Sequence, residues 1–150
     1  MVPTILTIEN SYFIQREIEL LLSNSCHIIV SSNAVEALNL IYNGNISLLL
    51  LDTSTSQANE IELCRSVRGM SQFHKLPIIM LSARDNFMST VKCKLAGVTE
   101  YLIKPYEPNT LHQLINRYLP SAIAQSEQNV KIYEKKRVMG LEPTTFTLGR

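Results

Sequence analysis

The chain's 150 residues are enough for one domain with a proper core and give no reason to seek a second. Hydrophobic residues make up 45% and charged residues 18%, and the formal net charge is +1, a balance that gives no electrostatic case for nucleic acid or an anionic membrane. Cys26, Cys64 and Cys93 are scattered without metal-ligand spacing and read as reduced thiols of a cytoplasmic protein; no signal peptide is read, and no apolar run approaches the roughly 18–20 residues of a membrane span.

From residue 4 to about residue 120, strand-like and helix-like segments alternate. A β-rich run over 4–8 comes first, and Ser11 is placed to cap a helix over 11–23 in which Phe13, Ile14, Ile18, Leu21 and Leu22 repeat at helical spacing. A second strand over 26–30 leads to Asn33, the cap of a helix carrying Val35, Leu38 and Ile41 that stops at Asn43-Gly44. The third strand, 46–52, is followed by a polar loop over 53–59 and a helix over about 60–70. A fourth strand over 77–82 precedes a helix from about 85 to 96 that ends at Gly97. The fifth strand, 99–103, is followed by a last helix over 108–119 with Leu111, Leu114, Ile115 and Tyr118 on one face. Five strands alternating with five helices argue for a doubly wound parallel sheet covered on both faces. Ligands of such sheets sit at the carboxyl ends of the strands, near the point where strand order reverses. Beyond Pro120 the periodicity fades: residues 121–150 read as a poorly ordered, slightly basic tail with five Lys/Arg against three Glu.

The strand ends carry chemistry. Ser47-Leu48-Leu49-Leu50-Leu51-Asp52 is an apolar run closed by an acid; Pro77-Ile78-Ile79-Met80-Leu81-Ser82 ends in a hydroxyl; Glu100-Tyr101-Leu102-Ile103-Lys104-Pro105 ends in an amine. The first strand delivers Glu9-Asn10. Carboxylates with an amide and backbone carbonyls suit a hard divalent cation such as Mg²⁺. A carboxylate beside such a cation can attack phosphorus, with a hydroxyl and an ammonium left to hold the phosphoryl oxygens. Taken singly, Asp52 would be a cap or turn residue, Ser82 a satisfied turn hydroxyl and Lys104 a surface lysine. Their joint placement favours a site.

Five segments in register resemble the receiver domain of bacterial response regulators: Ile8-Glu9-Asn10-Ser11, Leu50-Leu51-Asp52, the stretch from Asn59 to Arg65, Pro77 through Ala83, and Ala96 through Tyr106. The match runs from Thr4 to Leu119. The residues from Asn59 to Arg65, with Val91 to Gly97, look most like receivers of cyanobacterial signalling proteins of the phototaxis and heterocyst-patterning (PatA) type. The resemblance implies a flavodoxin-like sheet with strand order 2-1-3-4-5 over residues 1–120. It also implies a non-enzymatic signalling module that takes a phosphoryl group from a sensor histidine kinase. By position, Asp52 resembles the phosphoacceptor. Glu9, Asn10, Asp52 and the Ser54 carbonyl resemble the Mg²⁺ ligands. Ser82 and Tyr101 resemble the switch residues, and Lys104, before a commonly cis Pro105, resembles the phosphoryl-contacting lysine. Ser54 and Arg84 stand where the family tunes access of hydrolytic water.

Two departures bear on activity. Asn10 replaces the second acid of the usual pair and offers a carbonyl oxygen without charge, which should weaken Mg²⁺ binding. The loop after Asp52 lacks the usual Met-Pro turn, and Glu60 stands where a glycine is expected. The expectation is a stand-alone, phosphorylatable receiver, monomeric or weakly dimeric, whose output is docking to a downstream protein effector. The tail offers no helix-turn-helix pattern. The alternative is a pseudo-receiver binding module that is never phosphorylated. A nucleotide-binding enzyme fits poorly, because Glu9-Asn10-Ser11 contains no glycine to cradle phosphates.

Overall fold

A computed structural model of the chain describes residues 2–8, 16, 19, 20, 26–31, 33–53, 58–83 and 85–119. Among them are five strands: β1 (Thr4–Ile8), β2 (His27–Ser31), β3 (Leu48–Thr53), β4 (Ile78–Ser82) and β5 (Glu100–Ile103). Four α-helices accompany them: α1 (Ala34–Asn43), α2 (Ala58–Arg68), α3 (Phe87–Ala96) and α4 (Pro108–Tyr118), with a short 3₁₀ turn at Ser71–Phe73. The helix expected over 11–23 lies for the most part outside the described residues, as do residues 121–150. The strands form one sheet in the order β2-β1-β3-β4-β5, and β1, β3, β4 and β5 pair in parallel. This is the doubly wound, flavodoxin-like arrangement expected from the alternation of elements.

Two compact units divide the chain: residues 4–10 with 29–106, and residues 1–3, 11–28 and 107–150. The first holds β1, β3, β4, β5, most of β2 and helices α1 to α3. Its core joins Leu6 and Ile8 of β1, Leu49 and Leu51 of β3, and Ile78 and Met80 of β4 to Ala37, Ile41, Leu63, Cys64, Val67, Cys93 and Ala96 of the three helices. These strand residues alternate along the chain, so they share one face of the sheet. Their alternates Ile5, Leu48, Leu50, Ile79 and Leu81 are equally buried. Burial on both faces explains why β3 reads as an unbroken leucine run. In the second unit, α4 starts with Pro108 in its first turn and buries Leu111, His112 and Ile115.

Local signals place the helix ends. The Asn33 side chain accepts from the Glu36 N–H at 2.9 Å and caps α1; the Asn86 side chain accepts from the Ser89 N–H at 2.8 Å and caps α3. Thus α3 begins at Phe87, two residues later than the expected start, because Asn86 takes the cap. Gly97 ends α3 with φ +103°, donating to the Lys94 carbonyl at 3.0 Å while Val98 donates to that of Cys93. That is the left-handed cap only glycine adopts without strain. Helix α2 spans Ala58–Arg68 rather than 60–70, and the residues assigned to its last turn lead instead into the 3₁₀ turn.

Candidate functional site

The parallel register brings the strand ends together. Asp52 pairs with Leu81 and Thr53 with Ser82 across β3 and β4, while Ser82 pairs with Ile103 across β4 and β5. Lys104 follows directly, and its backbone N–H donates to the Ser82 carbonyl at 2.8 Å. Asp52 is 4% exposed and Ser82 is buried, so both side chains end their strands in a largely water-excluded place. The Lys104 ammonium reaches back across this edge and donates to Asp52 Oδ1, forming an ion pair. The peptide bond from Lys104 to Pro105 is cis.

Asp52 Oδ2 is buried and has no hydrogen-bond partner among the described residues. Buried carboxylate oxygens are ordinarily satisfied, so an orphan at a strand end marks a place for a donor, a cation or an electrophile. Ionised carboxylate oxygen is the donor type that Mg²⁺ takes, so the residue fits such a cation. Of the remaining expected ligands, Glu9, Asn10 and Ser54 lie outside the described residues, as does Arg84. Among the described residues, no group of three or more His, Cys, Asp or Glu side chains could hold a metal. Tyr101, on edge strand β5, is half-buried, packs against the core of its unit and pairs in register with Met80. The structure therefore brings Asp52, Ser82 and Lys104 to one end of the sheet and places Tyr101 two residues into the neighbouring edge strand.

One acidic group near Asp52 was not expected there. Glu60, in the first turn of α2, also carries a buried carboxylate oxygen, Oε1, without a hydrogen-bond partner among the described residues. Burial pushes its carboxyl above the ordinary glutamate range, and the negative charge of Asp52 adds to the rise, while a hydrogen bond from its own backbone N–H opposes it. The sequence signal was available: an acid stands eight positions after Asp52, where the resemblance calls for a residue without a side chain.

Comparison with known proteins agrees with this architecture. The response regulator receiver domain model matches residues 5–116, and the chain belongs to that family. It is 29% identical over 116 residues to ycf29 of Pyropia yezoensis, described as a transcriptional regulator, covering 77% of this chain and 52% of that protein. The chain thus spans about half the length of that relative. It is 27% identical over 118 residues to protein PilG of Pseudomonas aeruginosa, covering 78% of this chain and 87% of PilG. Among solved structures, a protein from Chloroflexus aurantiacus J-10-fl described as a response regulator superposes with a TM-score of 0.72 at 26% identity, covering 80% of this chain and 99% of that one. The receiver domain of a sensor histidine kinase from Pseudomonas aeruginosa PAO1, at 22% identity and a TM-score of 0.69, shares the fold over 81% of this chain and all of its own; that structure holds a magnesium ion coordinated in its active site cleft. Receiver domains are signalling domains that interact with histidine kinases and downstream effectors. No described helix is long and apolar enough to cross a membrane.

Proposed function

We propose that this receiver accepts a phosphoryl group on Asp52 from a sensor histidine kinase and relays the signal by docking to a downstream protein. The observation that carries this reading is the divided environment of the Asp52 carboxylate: Oδ1 is held by Lys104, and Oδ2 is buried without a partner among the described residues. Fixing one oxygen orients the other, which is what an in-line attack on phosphorus requires. An Oδ2 lone pair would form the new O–P bond as the N–P bond of a phosphohistidine breaks. The departing imidazole nitrogen keeps that electron pair. Lys104 would then share its charge with a phosphoryl oxygen, and the Ser82 hydroxyl, at the end of the adjacent strand, would turn toward the same group.

Mg²⁺, when bound, would screen the repulsion between the carboxylate and the incoming phosphoryl group. Asp52 would hold it together with Glu9, the Asn10 side-chain carbonyl and the Ser54 backbone carbonyl. Tyr101 on β5 would report the phosphorylated state. The exposed Phe87, Met88 and Leu95 of α3 and Ile103 of β5 support an output surface on that side of the first unit. The receiver itself would occupy residues 1–120. The stretches 59–65 and 91–97 support a place among the phototaxis and heterocyst-patterning receivers.

Incubation with MgCl₂ and acetyl phosphate should yield an acid-stable, base-labile adduct that disappears in Asp52→Ala. A chain that takes up no phosphate, and behaves like Asp52→Ala throughout, would instead be the pseudo-receiver that Asn10 and the altered loop favour.

A further inference from the structure

The two edges of the sheet are built differently. Strand order puts β2 at one edge and β5 at the other, so each has a strand neighbour on one side only among the described strands. β5 begins with Glu100 and runs straight into Lys104-Pro105. Charge and proline are the ordinary means of keeping an edge from pairing with another chain. β2 reads His27-Ile28-Ile29-Val30-Ser31, with no proline and no acidic, lysine or arginine side chain. Its middle residue, Ile29, is 36% exposed. The helix that follows extends this apolar surface. On α1, Ala37 and Ile41 are buried in the core, while Val35 and Tyr42 stand 71% and 63% exposed. Leu38, half-buried against the core, lies between them, so positions 35, 38 and 42 form one stripe along a flank of the helix. α1 packs against β1 and α2, and the exposure of the stripe shows that α2 does not cover it. Ile29 to Ser31 and all of α1 belong to the first unit.

We infer that a second copy of this chain docks on the β2 edge, strand antiparallel to strand, with the two α1 helices meeting on one face of the joined sheet. The surface asks for an occupant that is extended and uncharged beside the strand and apolar beside the helix. A foreign strand would pair with the edge and leave the α1 stripe in water. A second copy supplies both parts at once. A twofold axis perpendicular to the sheet sets the strands antiparallel and keeps both helices on the same face. Full overlap of two five-residue strands places Ile29 opposite its own copy, apolar against apolar, with no like charges facing each other. The association uses no phosphoryl group, so it stands apart from the phosphoacceptor reading.

The test is sedimentation velocity of the full chain from low micromolar to near-millimolar concentration, with circular dichroism confirming that each variant is folded. The parent chain should pass reversibly from monomer to dimer. Ile29→Lys and Ile29→Glu should each weaken that association by at least about tenfold, because the twofold sets every new charge against its own copy. An equimolar mixture of the two should associate again, since lysine then faces glutamate; a variant that had merely lost its fold would not recover. Tyr42→Glu, at an exposed position of α1, should weaken association in the same direction by a smaller factor. A chain that stays monomeric throughout would overturn the proposal and leave the edge to a foreign strand. A dimer indifferent to both Ile29 variants, or one lost instead in Leu95→Glu on α3, would overturn it too, by placing the interface elsewhere.

Discussion

The two ends of the β4–β5 pair obey opposite rules. At the amino end one guanidinium and one hydroxyl are engaged on every side. Arg68, at the end of α2, donates to the Gly97 carbonyl at 3.0 Å, to the Phe73 carbonyl at 2.8 Å and to the Thr99 hydroxyl oxygen at 3.2 Å. That hydroxyl also accepts from the Ile78 N–H at 3.0 Å, and the Thr99 N–H donates to the Ile78 carbonyl at 2.8 Å. One guanidinium thus ties together two helix ends, a 3₁₀ turn and the starts of two strands. Burial holds its pKa below the ordinary arginine value, with the nearby Cys64 thiol opposing that shift. Toward the carboxyl end of the sheet, Asp52 of β3 and Glu60 at the start of α2 each keep an oxygen without a partner among the described residues. A satisfied polar network fixes a structure, whereas an unsatisfied one is a place for something else to bind.

The comparison breaks most directly at Lys104. Lys104→Met should destabilise the fold by about 3 kcal/mol at pH 7, because it strands the buried Asp52 charge. Adding Asp52→Asn should recover all but about 1 kcal/mol of that loss in urea denaturation, because the cost lies in the unpaired charge rather than in lost packing. Arg68→Met, at the other end, should cost about 2 kcal/mol through its charged hydrogen bonds. No single partner substitution should rescue it, since three acceptors lose their donor together. Folded Arg68→Met should still take up phosphate from acetyl phosphate; loss of uptake would show that the two ends are coupled.

Gly97→Ala tests the stapled end from its other side. A Cβ there would come within 2.5 Å of Arg68 Cγ at a backbone φ of +103°. A thermal-denaturation series should show a loss of about 1.5 kcal/mol, from the left-handed strain and the displaced arginine stem. The smallest effect concerns Cys64, whose thiol is pushed up to about 12 from its ordinary 9.0, first by burial and then by Cys93, with Arg68 partly offsetting the rise. Between pH 9 and 12 the folded chain then holds a proton that the unfolded chain releases, so stability falls as pH rises through that window. Relative to its own value at pH 8, wild type should lose about 1 kcal/mol more than Cys64→Ala by pH 10, measured by urea denaturation. Equal pH slopes would show that the thiol is not shielded by its neighbours.

Much of this was legible along the chain. The alternation of strands and helices, the cap at Asn33 and the stop at Gly97 follow from neighbours within four residues. The acid, hydroxyl and amine at three strand ends were equally plain, because a buried parallel strand leaves its chemistry at its carboxyl end. The start of α3 and the end of α2 were read slightly wrong, because the Asn86 cap sets the first turn of α3 and the 3₁₀ turn continued the helical pattern of α2.

By itself, then, the sequence determined the order of elements, their local stops and the residue types at the strand ends, since propensity and capping act over a few bonds. Tertiary structure alone decided which polar atoms meet. Lys104 takes Oδ1 of an aspartate 52 residues away, and Arg68 finds acceptors 29 and 31 residues beyond it. Glu60, read in sequence as a replaced glycine, carries its orphaned oxygen into the electrostatic reach of Asp52. Such pairings depend on distances that only parallel register and helix packing establish.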